Sequence, residues 1–287
     1  MSNFILCTDS GCDIRQNVLN EWGVPCLQLT FKFDGEDIEH TENDMPIKDF
    51  YDAMRGGKTA KTSAINPDTF KETFESLLKD GNDVLYLAFS SGLSTTFNSA
   101  RLAAEELLET YTDRKIIVVD SLCASAGQGL LLYLALQKKN EGADIETVAK
   151  YIENNKLNLC HWFTVDDLVY LKRGGRVSPT VAFVGGVLGI KPVLHVDNEG
   201  HLISKSKVRG RKAALGALLS KYEELALDKN GIVFISSADC KDDTDYMAKE
   251  FAEKYGAKVE LITDIGPVIG AHAGPGTMAV FFLGKER

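Results

Sequence analysis

The sequence predicts an α/β protein in two domains. Residues 1–160 are expected to form a three-layer α/β/α domain with a mainly parallel sheet, and residues 161–287 an α+β domain with a mixed sheet. In the first half, short runs rich in β-branched residues alternate with longer amphipathic stretches, which is typical of parallel strands joined by helices. In the second half, the segment DNEG at 197–200 separates two apolar runs, which is typical of an antiparallel hairpin. No linker-like run marks the boundary, so we expect the two halves to pack tightly.

Four strands and four helices are predicted in the first half. Each strand is a short apolar run, and each helix is a longer stretch with apolar residues at helical spacing. Asn66 and Pro67 are typical of an N-cap and a first helical position, so they set the start of the second helix. The predicted strands are residues 4–8, 26–33, 84–89 and 116–119, and the predicted helices are residues 13–22, 67–79, 94–109 and 125–140.

The second half mixes helices with strands that need not be parallel. A short predicted helix at 165–172 ends before Gly174 and Gly175, because glycines favour helix ends. The remaining predicted strands are residues 192–196, 201–207, 232–236, 258–262 and 278–283, and the remaining predicted helices are residues 211–225 and 243–255.

Residues 265–284 carry no Asp, Glu, Lys or Arg and are numerous enough to span a membrane. Their many glycines and prolines exclude a lipid-exposed helix. We expect a buried loop that leads into the last strand.

Composition limits the classes of function. Of the 287 residues, 44% are hydrophobic and 25% are charged, which argues against a disordered or fibrous chain. Lysine and arginine number 32 and aspartate and glutamate 41, so the net charge is −9. An acidic protein has no overall field that attracts a phosphate backbone, so we do not expect nucleic-acid binding.

Compartment and redox state are predicted from the N-terminus and the cysteines. The first residues show no positive leader and no apolar run of signal-peptide length, so a cytoplasmic protein is expected. The six cysteines form no CxxC pair, so they are expected to be free thiols, mostly buried, and a zinc site is not expected.

The segment SSGLS at residues 90–94 follows a predicted strand and opens a predicted helix. Hydroxyls and free backbone N–H groups at a helix N-terminus favour an anion. Ser94 by itself is equally consistent with an ordinary N-cap. The segment matches neither a P-loop nor a dinucleotide fingerprint, so a nucleotide phosphate is not the expected anion.

Two further segments carry groups able to bind an anion. Thr62 and Ser63 lie too far before the helix at Pro67 to cap it, so their hydroxyls are available for another partner. His272 lies in the apolar, glycine-rich segment near the C-terminus. Such a histidine is usually a satisfied core residue, but dense glycines also allow close approach to a ligand, to which His272 could donate a hydrogen bond.

Cations cluster at two places. Lys172, Arg173 and Arg176 follow a predicted helix end, where cations are favoured by the helix dipole and are usually solvated. The Gly174–Gly175 turn between them predicts that both arginines lie at the surface. A second basic run, around Arg209, extends from residue 205 to 212. In an acidic chain such clusters are also candidates for docking an acidic partner.

Taken in order, these motifs resemble those of the DegV family, including its FakB-type fatty-acid-binding members, over nearly the whole chain. The residues that carry the resemblance are Thr8-Asp9-Ser10, Thr62-Ser63, Ser90-Ser91-Gly92-Leu93-Ser94, Asp120-Ser121 with Gly127 and Gly129, Tyr170-Leu171-Lys172-Arg173-Gly174-Gly175-Arg176, Leu188-Gly189-Ile190-Lys191-Pro192, Lys207-Val208-Arg209-Gly210 and Ile265-Gly266-Pro267-Val268-Ile269-Gly270.

The resemblance implies one long-chain fatty acid buried between two domains of a single DegV-type unit, with no cofactor, no metal and no catalytic residue. The residues it implies for the carboxylate are Thr62, Ser63, Ser91, Ser94 and His272. The apolar tail would lie in a tunnel for which the candidates are Val181, Phe183, Val184, Val187, Leu188 and Ile190. Each buried CH₂ contributes ~0.8 kcal/mol, so the tail would supply most of the affinity.

The resemblance also implies a partner. A separate, FakA-like fatty acid kinase would phosphorylate the presented carboxylate with ATP, giving an acyl phosphate for phospholipid synthesis. Arg173, Arg176 and Arg209 would face this kinase. Transient contact with a membrane is also compatible with such a carrier.

Two alternatives remain open at this point. In a serine-dependent acyl hydrolase, Ser91 or Ser94 would be the nucleophile, His272 the base, and Asp9 or Asp120 would orient the base, although no G-x-S-x-G motif is present. A regulatory module would instead use the lipid only as a structural ligand.

Overall fold

The computed structural model describes residues 4–177 and 189–287. In chain order, its first half contains β1 (Phe4–Asp9), α1 (Gln16–Trp22), β2 (Cys26–Leu27), β3 (Thr30–Phe33), α2 (Ile47–Arg55), β4 (Ala60–Ser63), α3 (Pro67–Lys79), β5 (Asp83–Ala88), α4 (Thr96–Thr110), β6 (Ile116–Asp120), α5 (Ala126–Asn140) and α6 (Ile145–Asn155). The second half contains β7 (Leu159–Thr164), α7 (Val169–Gly174), β8 (Ile190–Val196), β9 (Leu202–Arg209), α8 (Arg211–Leu225), β10 (Ile232–Ser237), α9 (Lys241–Glu250), β11 (Lys258–Asp264), α10 (Pro267–Ala273) and β12 (Met278–Leu283).

A parallel sheet of four strands, in the order β2-β1-β5-β6, organises the first half. Every residue of the central strand β5 is buried, because helices cover both faces. Phe70 and Phe74 of α3 pack with Tyr86 on one face, and Leu130 of α5 belongs to the same apolar cluster as Leu87 on the other. This arrangement confirms the predicted α/β/α layers.

A mixed sheet of six strands, in the order β11-β10-β12-β7-β8-β9, organises the second half. Only β10 and β11 run parallel, and the other neighbours are antiparallel, including the predicted hairpin β8–β9. Helix α8 packs on its outer face with Leu215 and Leu218. The predicted mixed sheet is thereby confirmed.

Helix α5 lies between the two large sheets. It contacts β5 of the parallel sheet and β7, β10 and β12 of the mixed sheet. Residues 126–132 of α5 are all buried, which explains why this stretch carries no charge. The two halves therefore share a core, as the missing linker predicted. Residue 160 falls in β7, near the start of the mixed sheet, but the division into two domains remains a prediction.

The predicted strand at 26–33 is wrong as a single element. β2 pairs with β1 in the parallel sheet, whereas β3 pairs with β4 in a separate two-stranded sheet. Between them the backbone N–H of Leu29 donates to the Ser10 hydroxyl at 3.0 Å, which leads the chain away from the first sheet.

The expected loop at the start of 265–284 is also wrong, because Pro267–Ala273 forms helix α10. Pro267 takes the first helical turn, where proline is tolerated. Gly270 packs against Tyr51, and a Cβ at this position would lie 2.5 Å from the Tyr51 hydroxyl. The glycine therefore serves close packing and does not break the helix.

Besides α10, four elements had no counterpart in the sequence prediction: α2, β4, α6 and β7. The cysteine prediction is confirmed, since all six are free and only Cys26 and Cys240 are partly exposed. In the described part of the chain, no helix combines the length and apolar character needed to cross a bilayer.

Candidate functional site

A cavity of about 510 Å³ lies between the parallel sheet and the mixed sheet. All five residues predicted to bind a carboxylate line it, although they come from three separate parts of the chain. They are Thr62 and Ser63 on β4, Ser91 and Ser94 in the loop after β5, and His272 on α10. The structure thus brings the predicted polar residues together, while their role in binding remains a prediction.

His272 and Thr62 join the two halves at this end of the cavity. The Nε2 atom of His272 lies 2.8 Å from the Thr62 hydroxyl oxygen, across 210 positions of sequence. Burial, together with the nearby positive charge of Arg176, lowers the pKa of His272 to about 4. The imidazole is therefore neutral at physiological pH, and it can donate one hydrogen bond while accepting another.

Gly174, the last residue of α7, sets the position of this imidazole. A Cβ at Gly174 would overlap the Nδ1 atom of His272. That nitrogen is buried and has no hydrogen-bond partner in the described structure. The absence of a side chain at Gly174 therefore lets α7 and α10 approach closely enough to hold His272 beside Thr62.

Asp9 holds the start of the loop that carries Ser91 and Ser94. The Asp9 carboxylate is fully buried and accepts hydrogen bonds from the Phe89 N–H at 2.8 Å and the Tyr86 hydroxyl at 2.5 Å. Burial raises the pKa of Asp9 while these hydrogen bonds lower it, and the net shift is upward. Asp9 thus fixes the end of β5, from which the loop departs.

Ser94 lies one residue before Thr95, the N-cap of α4, and its role in binding an anion remains a prediction. Its hydroxyl accepts from the Thr96 N–H at 3.2 Å, at the start of α4, and lies 2.8 Å from the Thr96 hydroxyl. It also lines the cavity. Ser91 is exposed, and its backbone N–H donates to Asp120 at 3.1 Å.

The turn of the β8–β9 hairpin rests on this same loop. The Ser90 hydroxyl donates to the Gly200 carbonyl at 3.0 Å. A Cβ on Gly92 would lie 2.7 Å from the Glu199 carbonyl oxygen, and Gly200 has a φ of +79°. Glycine at both positions therefore permits a backbone-to-backbone contact between the two halves.

The rest of the cavity is mainly apolar. Phe163 of β7 and Phe281 of β12 come from adjacent strands, and Leu202 lies at the start of β9. The other apolar lining residues are Leu29, Ala64, Phe89, Leu93, Ala124, Leu171, Val196, Ile265, Val268, Ile269, Ala273 and Ala279. Sequence patterns do not separate these residues from other core positions, because apolar residues recur at strand or helix spacing in every buried element.

The structure describes only one of the six residues predicted to line the tunnel. Val181, Phe183, Val184, Val187 and Leu188 lie outside the described residues. Ile190 is described, but it pairs with Arg209 in the hairpin and is absent from the cavity lining.

The three predicted docking arginines occupy different environments. Arg173 and Arg209 are exposed, as expected. Arg176 is half-buried and lines the cavity, so its predicted surface position is wrong. The Gly174–Gly175 turn folds back, and the Arg176 side chain hydrogen-bonds to the Leu93 carbonyl at 3.3 Å and to the Gly174 carbonyl.

Ser125 gives the cavity a further polar contact that sequence reasoning missed. Its hydroxyl donates to the Asp13 carboxylate and lies 2.9 Å from the Ser236 hydroxyl. Asp13 also accepts from the Gly266 N–H at 2.9 Å, and burial raises its pKa to about 8. Asp13 thus links the N-terminal loop to α5 and to the start of α10.

The geometry of the hydrolase alternative is incomplete. The hydrogen bond of His272 goes to Thr62 and not to Ser91 or Ser94. Asp9 is held by other donors, and Asp120 accepts from the N–H groups of Ser91 and Leu122.

Among residues 4–177 and 189–287, no group of three or more His, Cys, Asp or Glu is arranged to hold a metal ion.

Comparison with known proteins covers the whole chain. The family model described as an uncharacterised protein of the DegV family matches residues 3–285. A DegV domain-containing protein of Clostridium perfringens is 43% identical over an alignment of 289 residues that covers 100% of this chain and 99% of that protein.

Solved structures are similar over the same extent. A DegV lipid-binding protein from Thermotoga maritima has 30% identity and a TM-score of 0.86, with 99% of both chains covered. A fatty-acid-binding DegV family protein from Thermus thermophilus has 29% identity and a TM-score of 0.87, with 97% of this chain and 98% of that chain covered. The architecture is therefore shared with two proteins described as lipid-binding and fatty-acid-binding.

Proposed function

Because this chain belongs to the DegV family, we propose that it binds one long-chain fatty acid in its cavity and presents the carboxylate to a separate fatty acid kinase. The observation that carries the proposal is the uneven lining of the cavity. Hydroxyls and a neutral imidazole gather at one end, around Thr62, Ser94 and His272, while most of the remaining wall is apolar. An amphiphile with a small polar head and a long apolar tail fits that division.

The polar end is suited to a carboxylate. A buried carboxylate needs hydrogen bonds, because without them it would take up a proton or leave the site. The hydroxyls of Thr62, Ser63, Ser91 and Ser94 can donate, and so can His272. Similar structures of fatty-acid-binding and lipid-binding DegV proteins support this choice of ligand.

Phosphorylation then requires an accessible carboxylate oxygen. A carboxylate oxygen forms a bond to the γ-phosphorus of ATP as the bond to the bridging oxygen breaks, which gives acyl phosphate and ADP. The charges balance without a proton, since a carboxylate (−1) and ATP (−4) yield acyl phosphate (−2) and ADP (−3). A cradle of hydrogen bonds holds the carboxylate without a direct salt bridge to a cation, which leaves its oxygen nucleophilic.

Exposed cations would guide the kinase. Arg173 and Arg209 are exposed in a chain of net charge −9, so they are the surface positions we assign to docking. The kinase supplies ATP, and the carrier needs neither a cofactor nor a metal of its own. This role agrees with a cytoplasmic location.

The test begins with protein purified from a bacterial host. We expect denaturing mass spectrometry of an organic extract to find about one long-chain fatty acid per chain. We further expect a FakA-like fatty acid kinase with ATP to convert the bound acid to acyl phosphate. Delipidated protein reloaded with palmitate serves as the control for the identity of the acid.

Two results would contradict the proposal. If the extracts contain no lipid and added fatty acids cause no thermal shift, the chain does not bind a fatty acid. Normal lipid binding without acyl phosphate formation by such a kinase would instead favour a regulatory module.

A further inference from the structure

The side chain of Arg287, which follows β12, joins three separate parts of the chain. Its Nη1 atom donates to the Leu122 carbonyl at 2.8 Å and to the Asp197 carbonyl at 3.0 Å. Its Nε atom donates to the Leu159 carbonyl at 3.1 Å, and its Nη2 atom donates to the Lys156 carbonyl. The guanidinium therefore satisfies backbone acceptors in the loop after β6, in the turn of the β8–β9 hairpin and beside the start of β7.

The guanidinium acts from a fixed position. Arg287 is half-buried, and the planar fork of arginine loses little freedom for each hydrogen bond that it forms. The segment that carries it is also bonded to its surroundings. The Asn158 amide donates to the Lys285 carbonyl at 3.1 Å, and the Cys160 thiol donates to the Glu286 carbonyl at 3.2 Å. Arg287 is therefore held by its backbone as well as by its side chain.

The loop after β6 connects Arg287 to the loop after β5. Leu122 has a positive φ of 51°, which is strained for a residue with a side chain, and such strain persists only where the surroundings fix it. Arg287 bonds to the carbonyl of this strained residue. The next carbonyl along the chain, that of Cys123, accepts from the Ser90 N–H at 3.0 Å. Arg287 thus holds the backbone on which the loop after β5 rests.

The hairpin turn connects Arg287 to the same loop from the other side. The Asp197 carbonyl accepts both from Arg287 and from the Gly200 N–H, the latter at 3.0 Å. The Gly200 carbonyl accepts from the Ser90 hydroxyl at 3.0 Å. Both routes from Arg287 therefore end at Ser90, one at its N–H and the other at its hydroxyl. Two contacts from different sides fix the direction in which the loop leaves β5.

We propose that Arg287 is a positioning residue for the carboxylate of the ligand. The inference rests on the proposed function, in which Ser91 and Ser94 of this loop donate to that carboxylate. Arg287 is absent from the cavity lining, so it acts through the loop and not by contact with the ligand. Hydrogen bonds to the head depend on distance and angle, whereas burial of the tail is non-directional. Loss of Arg287 therefore reduces recognition of the head and leaves recognition of the tail.

The test compares two ligands with the same tail, palmitate and 1-hexadecanol, by equilibrium binding of each radiolabelled ligand to delipidated full-length protein. Hexadecanol lacks the carboxylate, so its affinity reports on the tail. Arg287→Gln should weaken palmitate binding roughly tenfold, because misplaced donors weaken the hydrogen bonds to the charged head, and hexadecanol binding less than about threefold. Arg287→Lys should give a smaller loss with the same preference, since lysine keeps a charged donor but not the fork.

Arg114→Gln is the matched control. Arg114 is also half-buried and donates to a backbone carbonyl, that of Gly81, at 2.8 Å. Gly81 precedes β5, whereas the loop with Ser91 and Ser94 follows it, so the control lies at the opposite end of the strand. Arg114→Gln should change neither affinity, even where thermal unfolding shows a lower melting temperature.

Hydrogen exchange of the ligand-free protein tests the positioning without a ligand. The amides of residues 90–94 should exchange faster in Arg287→Lys than in the wild type, while those of α3 keep their protection. If Arg287→Gln does not fold, Arg287→Lys decides both measurements.

Three results would overturn the proposal. Equal weakening of both ligands would show a general loss of stability, and unchanged palmitate binding or unchanged exchange at residues 90–94 would show that the loop keeps its position without Arg287. Failure of the wild type to bind palmitate would instead overturn the proposed function itself.

Discussion

At the scale of single residues, the candidate site depends as much on a missing side chain as on the polar groups. Gly174 has no Cβ, and the imidazole of His272 occupies the space that a Cβ would need. Its backbone is not in the left-handed region, so the requirement for glycine is steric. The residue is a positioning residue for His272.

Gly174→Ala should therefore weaken fatty-acid binding more than tenfold. The added methyl group displaces the His272 ring and breaks its hydrogen bond to Thr62, and overpacking of this kind typically costs about 1–3 kcal/mol. Palmitate titration of the delipidated variant measures the loss.

Gly216→Ala is the control for this variant. Gly216 lies within α8, and a Cβ there meets nothing within 4 Å. Since alanine favours a helix over glycine by roughly 0.5–1 kcal/mol, this change should raise stability and leave binding intact. Unchanged palmitate affinity in Gly174→Ala would show that His272 does not act from its present position.

Local patterns marked the polar residues as separate candidates, and the resemblance to the DegV family implied that they gather, but neither predicted their surroundings. Thr62, Ser94 and His272 stand out because hydroxyls and a histidine occur beside glycines and strand ends. Arg176 was misplaced because a glycine pair predicts a turn but not the direction in which the chain continues. That direction depends on the Leu93 carbonyl, which is 83 positions away.

At the scale of elements, the turn of the β8–β9 hairpin packs directly against the loop after β5. The hairpin belongs to the mixed sheet and the loop to the parallel sheet, yet their backbones touch at Gly92 and Gly200. Ser91 and Ser94 are carried on that loop. The hairpin therefore supports the polar end of the cavity from outside.

Gly92→Ala should push the hairpin turn away from the loop. The Glu199 carbonyl would lie 2.7 Å from the new Cβ, and backbone atoms cannot move aside as a side chain can. We expect a lower melting temperature and palmitate binding weakened severalfold, measured by thermal unfolding and calorimetry. Wild-type values for both would mean that the contact is not maintained in solution.

Helices were predicted correctly where a local sequence pattern is enough to set their ends. Helix α3 begins where Asn66 and Pro67 place it, with the Asn66 side chain accepting from the Thr69 N–H at 2.9 Å, and α8 has the predicted bounds. Helix α10 was missed because Gly270, its one glycine, packs on Tyr51, a contact that no local pattern reveals. The run at 26–33 was divided by tertiary pairing, since its two parts join different sheets.

At the scale of the whole molecule, pairing of the two halves depends on buried ionisable groups. Asp13 receives hydrogen bonds from Ser125 and Gly266, and the Thr263 hydroxyl donates to its backbone carbonyl at 2.7 Å. Burial also raises the pKa of the neighbouring Glu42. The fold class and the tight packing of the halves were predictable from alternation and the missing linker, but this buried carboxyl was not.

We expect the free energy of unfolding to fall between pH 6.5 and 8. Asp13 has a pKa of about 8 when folded, so the folded state binds more protons than the unfolded state, and this contribution is lost as pH rises. His272 and His195, with pKa values of about 4, act in the opposite sense but only below about pH 6.5.

Urea unfolding at pH 6.5 and 8 measures the difference, which should be roughly 1.5 kcal/mol for Asp13. Asp13→Asn should remove the part due to Asp13, while Asp9 and Glu42, whose pKa values are also raised by burial, leave a fall of the same sign. Asparagine tolerates the positive φ of 52° at this position. Asp37→Asn, at an exposed loop residue, is the control. A pH dependence unchanged in Asp13→Asn would show that Asp13 is already ionised when folded.

The position of β12 has a consequence for the time at which the protein becomes able to bind. β12 follows all the other described strands in sequence, yet it lies in the middle of its sheet, between β7 and β10. During synthesis on the ribosome, β7 and β10 therefore each have one unpaired edge until β12 is made. Ala279 and Phe281 of β12 form part of the cavity wall, so a nascent chain has no closed compartment for a lipid. Under the proposed function, we therefore expect ligand capture to follow synthesis of β12, and truncated chains to expose unpaired strand edges.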